Sequence, residues 1–292
     1  MTYIPVQGGL GNQLFILAMA HYLVEKYNKK VVLTFKTDRF NKGYRDNYLH
    51  VFMMNCTHGI RIKDGSLINI LLKVLDKINT VSPKISSQIK TAINFVDFSH
   101  PLQFRHDKLK SSQIVRGYFQ SADLVHEIWE SFKNEYQKTL ESEFFLLKEK
   151  IFEEHQISLQ KYQCIHIRRG DYLENQDSIG VLRSEYFLNN ADTEMLTILT
   201  TDTFEDIKFQ SEFSEILTFN QRQMNPIQAI AAMTYSSRLI LSNSTLSYWG
   251  ATLALETGAF VIGPEPWFKK NPIIGQEFFR DNRINYRKAI FE

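Results

Sequence analysis

The sequence predicts an α/β protein made of two Rossmann-like halves, each built on a parallel sheet. Two observations carry that prediction. Short apolar, β-branched runs alternate with stretches of helical periodicity over residues 2–35, and the alternation resumes over residues 162–262. Loops of small or charged residues stand where strands pass into helices. They are Gly8-Gly9-Leu10-Gly11-Asn12-Gln13 in the first half, and His166-Ile167-Arg168-Arg169-Gly170-Asp171-Tyr172 and Ser242-Asn243-Ser244-Thr245 in the second. Open α/β sheets receive ligands at the carboxyl ends of their strands, so the halves are expected to present these loops toward a common cleft.

Taken in order, Thr2 to Gln7 reads as a buried strand and Gly8 to Gln13 as a tight loop. Leu14, Phe15, Leu17, Ala18, His21, Tyr22 and Val24 recur at helical spacing up to Asn28, and Lys30 to Phe35 gives a second strand. A glycine loop opening a helix aims free N–H groups and the positive end of the helix dipole at an anion. It is not the dinucleotide fingerprint, because Leu14 stands where the third glycine belongs, and no GK[ST] follows to make a Walker A loop. A turn that only lets helix and strand pack closely is the plain alternative.

Residues 38–52 read as a polar, aromatic loop that includes Tyr44. Residues 65–79 read as an amphipathic helix with Leu67, Ile68, Ile70, Leu71, Val74, Leu75 and Ile78 on one face. The lysines around it, among them Lys73, Lys77 and Lys84, fit a solvated face over a core helix better than a membrane-surface patch. A strand at 114–120 runs into a helix from Ser121, helical character continues to His155, and the connection between halves is expected at 154–161. That divides the chain into 1–157 and 158–292. In the second half, 174–180 reads as a polar loop long enough for a lid, Leu196 to Thr200 as a strand, and Asn225-Pro226 as a helix start. Arg238 to Leu241 is a strand, Leu246 to Glu256 a helix, and Ala259 to Ile262 a strand.

Composition narrows the functional classes. At 43% hydrophobic and 23% charged residues the chain is an ordinary globular protein, and its formal net charge of +2 gives no general attraction to nucleic acid. Cys56 and Cys164 make no disulfide framework, which fits a reducing cytoplasm. No apolar stretch is long enough to span a bilayer, so a membrane would be met only peripherally, at its inner face.

Arg168 and Arg169 form a fork suited to a diphosphate, since each guanidinium offers planar, permanently charged donors. An ion-pair network with Asp171 is the alternative. Ser242 to Thr245 repeats the physics of the first loop, with helix capping as its alternative.

These motifs resemble those of the α-1,2-fucosyltransferases, glycosyltransferase family 11. The likeness runs through Gly8 to Phe15, Gly117 to Ser121, His166 to Tyr172, Ser242 to Ala251 and Pro264 to Phe268, in the family's order. It implies a GT-B-like fold of two Rossmann-like domains facing a cleft, GDP-L-fucose as donor substrate, no cofactor, and inverting transfer to O2 of a galactose-terminated oligosaccharide, free or lipid-linked. The amino-terminal domain would be the acceptor side, with its glycine loop at the cleft, and the carboxyl-terminal domain would hold the donor. Gly9, Gly11, Asn12, Arg168, Arg169, Asp202, Asn243, Ser244 and Thr245 are the donor-binding candidates, with Asn12 and Arg168 on the diphosphate. Tyr44, Tyr172 and Trp249 are the acceptor-side candidates.

Asp202-Thr203 stands where the family usually has two acids, and this chain also lacks the acid that the family has near the position of Ala229. An acceptor for the guanine edge is then sought in Asp202 and backbone carbonyls. With no Asp-x-Asp in the sequence, charge on the leaving diphosphate is expected to be met by Arg168 and helix N-termini without a metal. Asp171 is the first candidate base and His166 the second, and either could instead hold the arginines. A catalytically inactive sugar-nucleotide or glycan-binding protein, or a fucosyltransferase of another linkage, is the competing expectation.

Overall fold

The alternation of strand and helix closes into two separate parallel sheets. The computed structural model describes residues 1–35, 48–53, 59–98, 109–203, 210–271, 275 and 278–292. Packing divides the chain into Met1–Glu135 and Tyr136–Glu292.

In the first unit, β1 (Thr2–Pro5), β2 (Val31–Phe35), β3 (Ile60–Asp64), β4 (Phe95–Phe98) and β5 (Ile114–Gly117) form one sheet in the order β3-β2-β1-β5-β4. Every pairing in it is parallel. Helix α1 (Leu10–Tyr27) is buried on almost every side from Leu10 to Leu23, as expected for a helix whose sequence is apolar all round. It ends at Asn28, which takes the left-handed φ of 50° that asparagine tolerates better than most residues. Helix α2 (Leu49–Met53) is short, and α3 (Ser66–Val81) and α4 (Pro83–Ala92) precede β4. Helix α5 (Ala122–His155) follows β5 as one continuous element, and the division between units falls within it, upstream of the connection expected at 154–161.

In the second unit, β6 (Gln163–Ile167), β7 (Thr197–Thr201), β8 (Ile216–Asn220), β9 (Arg238–Ile240), β10 (Phe260–Glu265) and β11 (Asn285–Lys288) lie in the order β11-β10-β9-β6-β7-β8. These pairings are also all parallel. Strand β6 is buried at all five positions, and its polar members Gln163 and His166 are hydrogen-bonded there to Thr197 and Ser247. Helices α6 (Ser184–Leu188), α7 (Pro226–Thr234) and α8 (Thr245–Glu256) accompany the sheet. Helix α7 starts with a full capping box: Asn225 Oδ1 accepts from the N–H groups of Ile227 and Gln228, and Gln228 Oε1 accepts from that of Asn225.

Both orders are doubly wound. In the first unit the chain steps outward through β1, β2 and β3, then returns on the other side of β1, so the reversal lies between β1 and β5. In the second it steps through β6, β7 and β8 and returns beside β6, placing the reversal between β6 and β9. Ligands of open α/β sheets bind outside the strand ends at such reversals. The fold is α/β with two parallel-sheet domains, the GT-B-like construction.

Candidate functional site

Each reversal carries a motif loop. In the first unit the loop after β1 enters α1 with Gly9 at the N-cap, so Gly11 and Asn12 lie in the first helical turn, where the sequence suggested a loop through Gln13. Gly8 takes φ +78°, and a Cβ there would come within 2.6 Å of the Asn12 amide, so glycine is required twice over. Asn12 Oδ1 accepts from Gln120 Nε2 at 2.9 Å. That bond joins the glycine loop to the Gly117-Tyr118-Phe119-Gln120 segment after β5, on the other side of the reversal. It uses the amide oxygen of Asn12 and leaves Nδ2 as a donor.

In the second unit β6 ends at Ile167 and delivers Arg168 and Arg169 into a 3₁₀ turn over Gly170–Asn175. Arg168 Nη1 lies 3.0 Å from Asp202 Oδ2, and Nη2 donates to Asp171 Oδ1 at 2.6 Å. The guanidinium also lies over the Tyr172 ring, 5.6 Å from its centroid. The two carboxylates differ in setting: the Asp202 side chain is 5% exposed and that of Asp171 is 46% exposed. Asp202 is therefore a fixed anchor, and Asp171 is a partner that solvent or a ligand anion can displace. Asp202 Oδ1 accepts from the Arg169 N–H at 2.8 Å, and the Arg169 side chain pairs with Glu292 at 2.7 Å.

Gly170 explains itself against this network. A Cβ at that position would stand 2.6 Å from Asp202 Oδ2, so the turn has room for the carboxylate only if residue 170 has no side chain.

Across the reversal, Ser244 caps α8 by accepting from the Ser247 N–H at 3.1 Å, and Thr245 is the first helical residue. Buried Asn243 donates through Nδ2 to the carbonyls of Ile179 and Gly180, while its own carbonyl accepts from the Tyr172 hydroxyl at 3.3 Å. His166 Nδ1 shares hydrogen bonds with Ser247 Oγ at 2.5 Å and Ser242 Oγ at 3.0 Å. Strand β6, the 242–244 loop and the first turn of α8 are thus tied into one rigid corner, with the open N-terminus of α8 beside it.

Several sequence expectations change. His166 is 4% exposed, and burial, with Arg168 adding to it, lowers its pKa from 6.5 to about 3. An imidazole so enclosed and so weakly basic is a positioning residue rather than the base that takes a proton from an acceptor hydroxyl. Trp249 is fully buried; it packs against Tyr136 at 5.5 Å, and its carbonyl accepts from the Tyr136 hydroxyl at 2.6 Å, so it is a core residue and not an acceptor platform. The Asp202 side chain is 5% exposed and engages Arg168 and the Arg169 N–H through its two oxygens, which assigns it to anchoring the arginine turn rather than to a guanine edge. The 174–180 loop is not a free lid. Its end is held by Asn243 and by the N–H groups of Lys269 and Lys270, which donate to Ile179 and Ser178. Tyr44 lies outside the described residues.

Sequence reasoning left Gln120, Gly170, Ser247 and Glu292 without roles. Gln120, Gly170 and Ser247 all sit inside motifs. Only Glu292 has no local signal.

The buried histidine has a consequence for stability. Its folded pKa lies below its unfolded value, so the unfolded chain binds the extra proton between about pH 6.5 and 3. Stability is complete above that window and falls as pH drops through it, by about 1.4 kcal/mol per unit for one such group. His21, whose burial lowers its pKa to about 4, acts in the same direction. Urea unfolding between pH 7 and 4 should show this slope, and His166→Asn should flatten it. An unchanged slope in the variant would remove His166 from the account.

The chain is thus two doubly wound α/β units with motif loops at their reversals, and in the second unit both arginines of the motif are in ion pairs, Arg168 with Asp171 and Asp202 and Arg169 with Glu292. The sequence places the chain more narrowly: it matches the model of Glycosyl transferase family 11 over residues 1–282, and it belongs to that family. It is therefore a glycosyltransferase. An Escherichia coli relative, the O-antigen biosynthesis glycosyltransferase WbnK, is 24% identical, with 92% of this chain and 95% of that protein covered. An alpha-1,2-colitosyltransferase of the same species is 23% identical, with 91% and 92% covered. Among solved structures, the NodZ alpha-1,6-fucosyltransferase co-crystallized with GDP aligns over 86% of this chain and 92% of its own, at 12% identity and a TM-score of 0.47.

Proposed function

We propose that this glycosyltransferase moves L-fucose from GDP-β-L-fucose to O2 of a terminal β-galactoside, with inversion, in the assembly of a surface polysaccharide such as O-antigen. The observation that carries the reading is Arg168, held by Asp202 at the reversal between β6 and β9 beside the N-terminus of α8. The motif resemblance supports the sugar, and the names of the two relatives support an α-1,2 linkage and O-antigen synthesis, the second with colitose as its sugar.

In this reaction the acceptor O2 forms a bond to the fucosyl anomeric carbon as the bond from that carbon to the β-phosphate oxygen breaks. The electron pair leaves with GDP, and the acceptor proton passes to a base or to the departing phosphate. Negative charge grows on the β-phosphate, so fixed donors stabilise the transition state more than the ground state. Arg168 and the first N–H groups of α8 at Thr245 supply them, with Ser244 holding that terminus and Arg169 holding the turn. Asp171, the exposed carboxylate beside Arg168, is the base we assign. Asn12, oriented by Gln120, is assigned to the donor through its amide N–H groups. Backbone carbonyls are left to read the guanine edge.

The purified protein should release GDP from GDP-fucose when given a terminal β-galactoside disaccharide, and nuclear magnetic resonance of the product should show an α-1,2 linkage. GDP-colitose belongs beside GDP-fucose in this assay because of the second relative's name. Saturable GDP-fucose binding without turnover on any acceptor would make the chain a binding protein, and a different linkage would overturn the assigned regiochemistry. Isothermal titration of GDP into Asn12→Ala should show a loss of about 1–3 kcal/mol for a bond to a charged group. Unchanged GDP affinity with impaired acceptor use would assign the glycine loop to the acceptor instead. Because the cationic work is given to Arg168 and a helix terminus, turnover should persist in excess EDTA. A loss on chelation that Mg²⁺ or Mn²⁺ restores would contradict that assignment.

A further inference from the structure

Helix α3 carries more apolar surface than its core can use. Leu72 and Leu75 are buried, and Ile68 and Leu71 pack beside the Leu72, Phe95 and Ile114 cluster. Leu67, Ile70 and Val74, expected on that same face, instead point to solvent, as does Val81 beyond the expected helix end, Leu67 and Val81 at 83% and 87% exposure. At about 100° per residue these four positions fall along one side of the helix, next to the core-facing side. Ile85, in the first turn of α4, is exposed as well. Single exposed apolar residues are ordinary, but a continuous stripe of them marks a surface that another body covers.

The charge beside the stripe identifies that body. Lys73 and Lys77 lie on the turns flanking Val74, and Lys84 stands next to Ile85, all exposed. Over α3 and α4 there is a single acid, Asp76, and Arg116 binds it with both Nη1 and Nη2 while also holding Asp97. The face is thus apolar and basic, with its only carboxylate neutralised from the sheet side. Helices that lie in a membrane interface have this composition, because the apolar side enters the acyl boundary while lysines meet anionic headgroups. Among the described residues no helix is long and apolar enough to cross a membrane, so the contact is with a surface.

We infer that the α3–α4 face docks the enzyme on an anionic lipid bilayer. The inference stands on this face alone and does not depend on which acceptor the enzyme uses. Co-sedimentation of the full chain with vesicles tests it. Vesicles of phosphatidylcholine containing roughly one-third phosphatidylglycerol should retain the protein, pure phosphatidylcholine should retain much less, and added salt should weaken retention. Leu67→Glu/Val81→Glu should lower binding about tenfold or more, and Lys73→Glu/Lys77→Glu should lower it severalfold. Both variants should melt like the parent, because the altered side chains are exposed. Failure of the parent to bind anionic vesicles, or equal binding by Leu67→Glu/Val81→Glu, would overturn the inference. So would a vesicle-free dimer that the same variant dissociates, since a second copy would then be what covers the stripe.

Discussion

Replacing Arg168 with lysine should cost nearly as much activity as replacing it with alanine, on the order of a hundredfold to a thousandfold in kcat, the range for removing one preorganised donor to developing charge. Charge alone is not what the site supplies. The guanidinium is held edge-on by Asp202 and Asp171 and face-on by the Tyr172 ring, so its remaining donors point in fixed directions. An ammonium on a flexible stem keeps the charge but cannot occupy both carboxylates and a phosphate in that plane. The lysine variant is the informative one, because alanine also strands the buried Asp202 carboxylate and would lower stability by about 3–5 kcal/mol. Initial rates with GDP-fucose, read beside a thermal melt, separate the two effects. A well-folded lysine variant within a few-fold of the parent would end the phosphate-clamp assignment.

What could be read from the sequence and what could not divides along a physical line. Several strands and helices were legible because each is a local pattern, β6 as a mostly apolar run, α7 from Asn225-Pro226 and α8 from its serine cap, whereas β3, β4, β8 and β11 went unread. The loops were legible as strand-to-helix turns because glycine, asparagine and serine mark helix starts. Orientation was not. Trp249 stands two residues beyond Ser247 in a polar-looking motif, yet α8 turns it into the core against Tyr136. Leu67, Ile70 and Val74 of α3 were assigned to the same face as Leu75 because periodicity counts hydrophobes without knowing how wide the core is. Partners distant in sequence were out of reach. Nothing near Arg169 announces Glu292, and nothing near Asn12 announces Gln120, because both pairs exist only after the sheets order their strands. Asp202 was seen as a lone survivor of an acidic pair and given to the nucleotide, when its place at the end of β7, beside β6, gives it to Arg168 instead.

That reassignment makes the sharpest test of the site. Asp202→Asn should fold, because the amide oxygen can still accept from the Arg169 N–H, but it removes the charge that fixes Arg168 Nη1. Arg168 then gains freedom, and a displacement of about 1 Å at a reacting centre is worth roughly a hundredfold in rate. Gly170→Ala should reach the same state by a different route: its methyl group would stand 2.6 Å from Asp202 Oδ2 and push the carboxylate off the arginine without altering any charge. Both variants are expected to lower kcat by about tenfold to a hundredfold and to weaken GDP binding. Their double mutant should fall little further, since each disables the same anchor. Asp202 acts through Arg168, so the effects should also vanish on an Arg168→Ala background, where a purely structural role would still register in the melt. Full additivity of Asp202→Asn with Arg168→Ala, or loss of guanine selectivity against other nucleoside diphosphates in Asp202→Asn, would return Asp202 to the base and leave Arg168 without its anchor.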